Sequence, residues 1–368
     1  MLRPVVLLVF LLFSATPALA AKEETYEGSV GAAPVVMGLF SEEGLLPTEG
    51  AVTGQYFYRS TRLDIDLSGQ WHDHVLELAS RLTGDRLTLS RSGDGLVGAL
   101  TTAKGQRSPV SLHPATGFAA LPVDLPSDLS PYARLQLASL KLVPQKTETR
   151  NGKTIRWYRE PLTGIRLFRL EGGYAPPAMA VMNHALAREQ WSEVSSWLQC
   201  PGTDGRGSGM EFSEAGKPWL GSAHVSYISR ASWSCAGTAH PDFGANGHSF
   251  DARTGRELKL DDVLPVGPHP APKENGDAWF DYRGKVFAPA VVALMKRYHK
   301  AEMVRPKDGD EDGCDYSDPE VWNFPSWVLT DKGLWLGAIF ARVARACDSP
   351  DWAVIPWAAL PSPDRMAR

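Results

Sequence analysis

Between Ser29 and Leu112 apolar residues recur at every second position, in short runs cut by glycine turns. A period of two fits an extended strand with one dry and one wet face, and excludes a helix over the same stretch. Leu63, Ile65 and Leu67 alternate with Asp64 and Asp66. Val75 to Leu78, Leu87 to Leu89, Leu96 to Leu100 and Pro109 to Leu112 repeat the theme, separated by Thr83-Gly84-Asp85, Ser92-Gly93-Asp94-Gly95 and Lys104-Gly105. Connections this short join antiparallel neighbours. The expectation is an antiparallel β domain over 21–125, a meander closed as a sandwich or a barrel. Tyr56, Phe57 and Tyr58 are expected in its core, because aromatic rings fill small β cores.

Pro114, Pro122, Pro126 and Pro131 oppose both helix and central strand, so the domain boundary is placed near residue 125. Beyond it the period changes. Ala178 to Gln199 carries Met182, Ala185, Leu186, Val194, Trp197 and Leu198 at three-and-four spacing after Pro176-Pro177, a helix signature. A second helix is expected to start near Pro289, with Val291, Leu294, Met295 and Tyr298 on one stripe. Val225 to Cys235 alternates as a half-buried strand, and Trp327 to Leu336 and Trp352 to Trp357 read as closing strands. Helices mixed with antiparallel strands predict an α+β domain over 126–360 with two main helices, followed by a loose tail over 361–368.

Residues 1–20 read as a secretory signal peptide. Arg3 is the positive start, Val5 to Phe13 the apolar stretch, and Ala18-Leu19-Ala20 the small-residue cleavage site. Cleavage near Ala20 places the mature chain in the periplasm or outside the cell, with no later segment of membrane-spanning length. The formal net charge of −4 becomes −5 when Arg3 leaves, which gives no electrostatic reason to expect a nucleic-acid partner. Cys200, Cys235, Cys314 and Cys347 form no C-x-x-C pair, and in an exported protein they read as disulfides. Of the three pairings, Cys200 with Cys235 and Cys314 with Cys347 is expected, since it closes loops of moderate length.

Residues 221–264 contain Gly237-Thr238-Ala239-His240, then Asp251 with Thr254-Gly255, then Leu258-Lys259-Leu260-Asp261. This order resembles the DUF3298-like domain shared by the lysozyme-sensing anti-sigma factor of Gram-positive bacteria and a peptidoglycan deacetylase. Arg159 to Tyr174, Leu329 to Leu334 and Val354 to Trp357 are similar to further segments of that domain. Thr238 stands where the family has a second glycine. The resemblance implies an envelope-facing domain, in one relative a binder of lysozyme. It implies no catalysis, because the deacetylase carries its chemistry in another domain.

Candidate sites are few. His240, Asp242, His248 and Asp251 crowd a glycine-rich stretch and suit a metal or a His-carboxylate dyad; the plainer role is turn capping. Asp308, Asp310 and Asp312 with Gly313 open like a calcium loop, and Asp315 and Glu320 would have to complete it, because Pro319 occupies the twelfth position. His72-Asp73-His74 would set two imidazoles on one strand face. Trp322, beside the acidic loop, is the tryptophan expected to be exposed. No G-x-S-x-G, H-E-x-x-H or phosphate loop occurs. The leading expectation is a non-enzymatic envelope protein without a cofactor. It would bind lysozyme or peptidoglycan through Gly237, His240, Asp251 and Trp322. The alternatives are a cell-wall glycan hydrolase or deacetylase using His240 with Asp242 or Asp251, and a calcium-dependent module.

Overall fold

The computed structural model describes residues 22–41, 50–116, 121–122, 124–126, 128–205, 207–267, 270–307 and 313–360. The signal segment, Asp308, Asp310, Asp312 and the tail therefore lie outside the described residues. The chain is mostly antiparallel strand with few helices. It divides into two compact units, Met1–Gly117 and Phe118–Arg368. The boundary falls before the expected residue 125 because Leu125 and Leu129 pack into the core of the second unit, beside Trp191 and Val194.

In the first unit eight strands follow one another: β1 (Lys22–Val30), β2 (Ala33–Ser41), β3 (Gly50–Tyr58), β4 (Ile65–His72), β5 (Val75–Ala79), β6 (Arg86–Ser92), β7 (Gly95–Thr101) and β8 (Arg107–Pro114). Each pairs with the next, and β1 pairs with β8 from Tyr26↔Pro114 to Val30↔Val110. The meander is thus a closed barrel rather than a sandwich, and closure leaves no edge strand unpaired. Inward positions carry Val35, Met37, Leu39, Tyr56, Trp71, Leu76, Leu89 and Leu112, all buried. Eight strands enclose a space that such side chains fill, so this interior is a core. Tyr56 and Phe57 are buried on opposite faces of β3. Gly69 lies where a Cβ would come within 1.8 Å of the Glu77 carbonyl oxygen, so β4 and β5 approach as only glycine permits.

The second unit begins with α1 (Pro131–Leu137), capped by the Ser130 hydroxyl accepting from the Ala133 amide. The meander β9 (Val143–Arg150), β10 (Lys153–Arg159) and β11 (Arg166–Gly172) follows, then α2 (Pro176–Leu198) with proline in its first turn. Asn183 of α2 donates to the Leu170 carbonyl and accepts from the Leu170 amide, which closes the free edge of β11. A second sheet contains β12 (Met210–Ala215), β13 (Trp219–Leu220), β14 (His224–Trp233) and β15 (Asp242–Asp251), with β14 in the middle. The chain then forms α3 (Leu260–Val263), α4 (Asp277–Tyr282), a π turn over Arg283–Phe287 and α5 (Ala288–Tyr298). A third sheet, β16 (Ser326–Leu329), β17 (Gly333–Gly337) and β18 (Val354–Pro356), completes it.

Two expectations change here. β14 is not half-buried: His224 to Ser229 are buried on both faces. Val225 and Tyr227 pack against Met182 and Leu186 of α2, whereas Ile228 packs against Val328 and Trp335 of the third sheet. The second helix, α5, does start at Ala288 with Pro289 in its first turn, but it does not start afresh there: the backbone is already helical from Asp277, and a π turn, in which the Ala288 amide donates to the Arg283 carbonyl, joins α4 to it and accommodates the proline. Both disulfides form as expected, Cys200–Cys235 with Cα atoms 4.9 Å apart and Cys314–Cys347 with 5.6 Å. This agrees with a protein made for an oxidising compartment. Among the described residues no helix is long and apolar enough to cross a membrane.

Candidate binding site

The residues singled out from sequence are scattered. His240 is exposed in the turn before β15, its Nδ1 3.2 Å from the Pro241 carbonyl oxygen. Asp242 opens β15 and pairs with Arg345 at 3.0 Å. Asp251 ends the same ten-residue strand, which at about 3.3 Å per residue separates it from His240 by roughly 30 Å. The structure therefore does not bring His240 and Asp251 together. Asp251 accepts from the Arg253 and Thr254 amides, and these bonds hold its carboxyl below the usual range although partial burial opposes them. It caps the turn at Thr254-Gly255. Gly237 sits at φ +84° with open space around it, so its role is conformational.

Trp322 is a correction: it is completely buried, donating from Nε1 to the Tyr316 carbonyl at 2.9 Å. Acidic neighbours suggested exposure, but the turn Pro319–Trp322 lays its inner face on the core around α5. A second correction concerns His72-Asp73-His74. Asp73 and His74 both have positive φ and form the two-residue turn between β4 and β5, so the imidazoles share no strand face. Asp315 accepts from the Ser317 amide and hydroxyl, and Glu320 is exposed in the following turn. Among the described residues no group of three or more His, Cys, Asp or Glu is placed to hold a metal.

The surface that does gather recognition chemistry lies beside Leu258-Lys259-Leu260-Asp261. There a cleft of about 450 Å³ is lined by Asp261, Trp279, Arg283, Phe324 and Trp327, with Glu257 and Glu274 at its rim. Trp279, Phe280 and Phe324 form an aromatic cluster with ring centroids 5.1 to 5.7 Å apart. Phe280 and Phe324 are 50% and 41% exposed and form an open apolar face, while Trp279 is half-buried behind them against the core around α5.

The polar floor is fixed. Arg283 projects from the π turn, buried, with its guanidinium over the Phe287 ring at 3.7 Å. It donates to Asp261 Oδ1 and to the Asn323 carbonyl, both at 2.8 Å. The Trp279 indole N–H reaches Asp261 Oδ2 at 3.5 Å. Burial pulls the Arg283 pKa down and Asp261 works against it. One carboxylate thus orients both the cation and the tryptophan, so the aromatic face is held in place before any ligand arrives.

Glu257 links this cleft to a second polar cluster. Its carboxylate is 3.3 Å from His248 Nδ1, while Glu189 of α2 is 3.6 Å from Nε2. The imidazole stacks on Tyr227, centroids 4.7 Å apart. Burial alone lowers the His248 pKa, but the Glu257 bond and the fields of Glu189 and Glu193 outweigh it and raise the value. Burial also raises Glu189. Of the four residues in the glycine-rich stretch, His248 is the one placed among carboxylates, and its partners come from α2 and from beyond the turn. Sequence spacing carries no trace of Glu189. Asp261 was legible in Leu258-Lys259-Leu260-Asp261, but only as part of a pattern. Compared with known proteins, the chain matches no family model, and no curated protein matches it.

Proposed function

We propose that this is an exported, disulfide-stapled envelope protein that binds glycan through the cleft of Asp261, Trp279, Phe324 and Trp327. Peptidoglycan is the partner most consistent with the envelope setting that the DUF3298-like resemblance implies. The observation that carries this reading is the exposed aromatic face set above an oriented carboxylate and guanidinium. Pyranose rings present C–H faces to the negative faces of aromatic rings and hydroxyl edges to charged acceptors and donors. A cleft holding both kinds of group recognises both sides of a sugar.

Co-sedimentation of the purified mature chain with sacculi tests it. Wild type pellets with them and Trp279→Ala stays in the supernatant. Equal pelleting of the two proteins contradicts the reading. Capture of lysozyme that survives Trp279→Ala would assign partner recognition to another surface. Release of soluble sugar that stops in His240→Ala would favour the hydrolase alternative, and release of acetate that stops in the same variant would favour the deacetylase.

A further inference from the structure

A second cleft of this unit lies away from the aromatic one, between α2, β11 and the segment after α1. It measures about 1130 Å³, the size that takes a small organic ligand. Leu140, Leu142 and Trp191 supply apolar wall, and Arg169 and Tyr158 project into it. Two other polar pairs along its lining are already satisfied. His184 Nδ1 lies 2.7 Å from Asp124, and Glu171 pairs with Arg156 at 2.8 Å.

Arg169 and Lys141 are not. Among the described residues neither has a carboxylate within ion-pair distance. Arg169 donates to the Phe168 carbonyl at 2.8 Å and to Gln190 Oε1 at 2.9 Å, which uses two of the five N–H groups of a guanidinium. Gln190 is completely buried and donates to the Tyr158 and Ile165 carbonyls, so it holds the arginine at a fixed angle. Burial lowers the Arg169 pKa to about 10, and the field of Asp124, which lies in the same cleft without pairing directly to the guanidinium, offsets that only in part. Lys141 is exposed at the mouth. A positioned guanidinium matches the paired oxygens of a carboxylate or phosphate.

We propose that this cleft binds a small amphiphilic anion, its carboxylate or phosphate head on Arg169 beneath Lys141 and its apolar body along Leu140, Leu142 and Trp191. The ligand completes a charge pair that the chain leaves open, and the site is independent of glycan recognition.

Isothermal titration of the mature chain with decanoate, decyl phosphate and decanol tests it. At least one anion binds, and decanol binds ten-fold or more weakly. Tighter decanoate assigns a carboxylate ligand, and tighter decyl phosphate assigns a phosphate. Arg169→Gln and the surface variant Lys141→Glu each weaken the anion at least three-fold with an unchanged circular dichroism spectrum, and Trp279→Ala leaves it unaffected. If Arg169→Gln unfolds, Lys141→Glu alone decides. Decanol binding as tightly as the anions, no binding of either anion, or wild-type affinity in Lys141→Glu overturns the proposal.

Discussion

Asp261 and Arg283 are 13% and 5% exposed, so their ion pair is largely removed from water. Deleting one partner strands the other charge, which costs about 3 to 5 kcal/mol. Asp261→Ala is therefore expected to lower unfolding free energy by about that amount in urea titration and to weaken glycan binding as well. The tryptophans separate two kinds of role. Trp322→Ala should cost about 3 to 5 kcal/mol of stability, because the ring is wholly buried. Trp279→Ala should cost less stability than Trp322→Ala, because its ring is only half-buried, yet bind glycan about ten-fold more weakly, a loss of about 1.4 kcal/mol. Residue chemistry alone did not distinguish them. Both stand near acidic residues in sequence, and only the turn Pro319–Trp322 and the run from α4 into the π turn decide which ring faces water.

Elements were more legible than sites. The alternation that predicts the strands of the barrel reappears as β4 to β8, and Gly84, Gly93 and Gly105 all take the positive φ their turns require. The β4–β5 turn escaped because it uses Asp73-His74 without glycine. The polar alternation of β14 misled because His224 and Ser226, on its polar parity, are buried rather than wetted, and α1 was hidden in a proline-rich stretch although Ser130-Pro131 is a helix start. Gly255 has φ +77°, and a Cβ there would come within 2.4 Å of the Ala178 carbonyl oxygen on α2. Gly255→Ala should destabilise by about 1 to 3 kcal/mol in chemical denaturation. Between α2 and β15, His248 and Glu189 both have pKa values raised by folding. Groups of this kind favour the fold while protonated. The His248 contribution is present below its unfolded value of about 6.5 and lost as pH rises through its higher folded value. Melting temperature should therefore fall from mildly acidic to mildly alkaline pH, and His248→Gln should flatten that slope.

Across the whole molecule, cysteine placement separates the two units. All four lie in the second, and their disulfides span 35 and 33 residues, each stabilising by about 4 kcal/mol in the chain-entropy model. Under reducing conditions calorimetry should show the second unit melting earlier while the transition of the barrel, which has no cysteine, keeps its position. Such a split is expected because both cross-links constrain only the second unit. The pairing was legible because just four cysteines at two similar separations leave few alternatives. The cleft was not, since Asp261, Trp279 and the pair Phe324 and Trp327 converge from three stretches spread over more than sixty residues. The central claim is that this convergence binds sugar. Titrating soluble peptidoglycan fragments into wild type and Trp279→Ala while following tryptophan fluorescence tests it directly. Saturable quenching in the wild type, shifted about ten-fold to higher concentration in the variant, is the expected result. No saturable change in the wild type, or identical curves for both proteins, would contradict it.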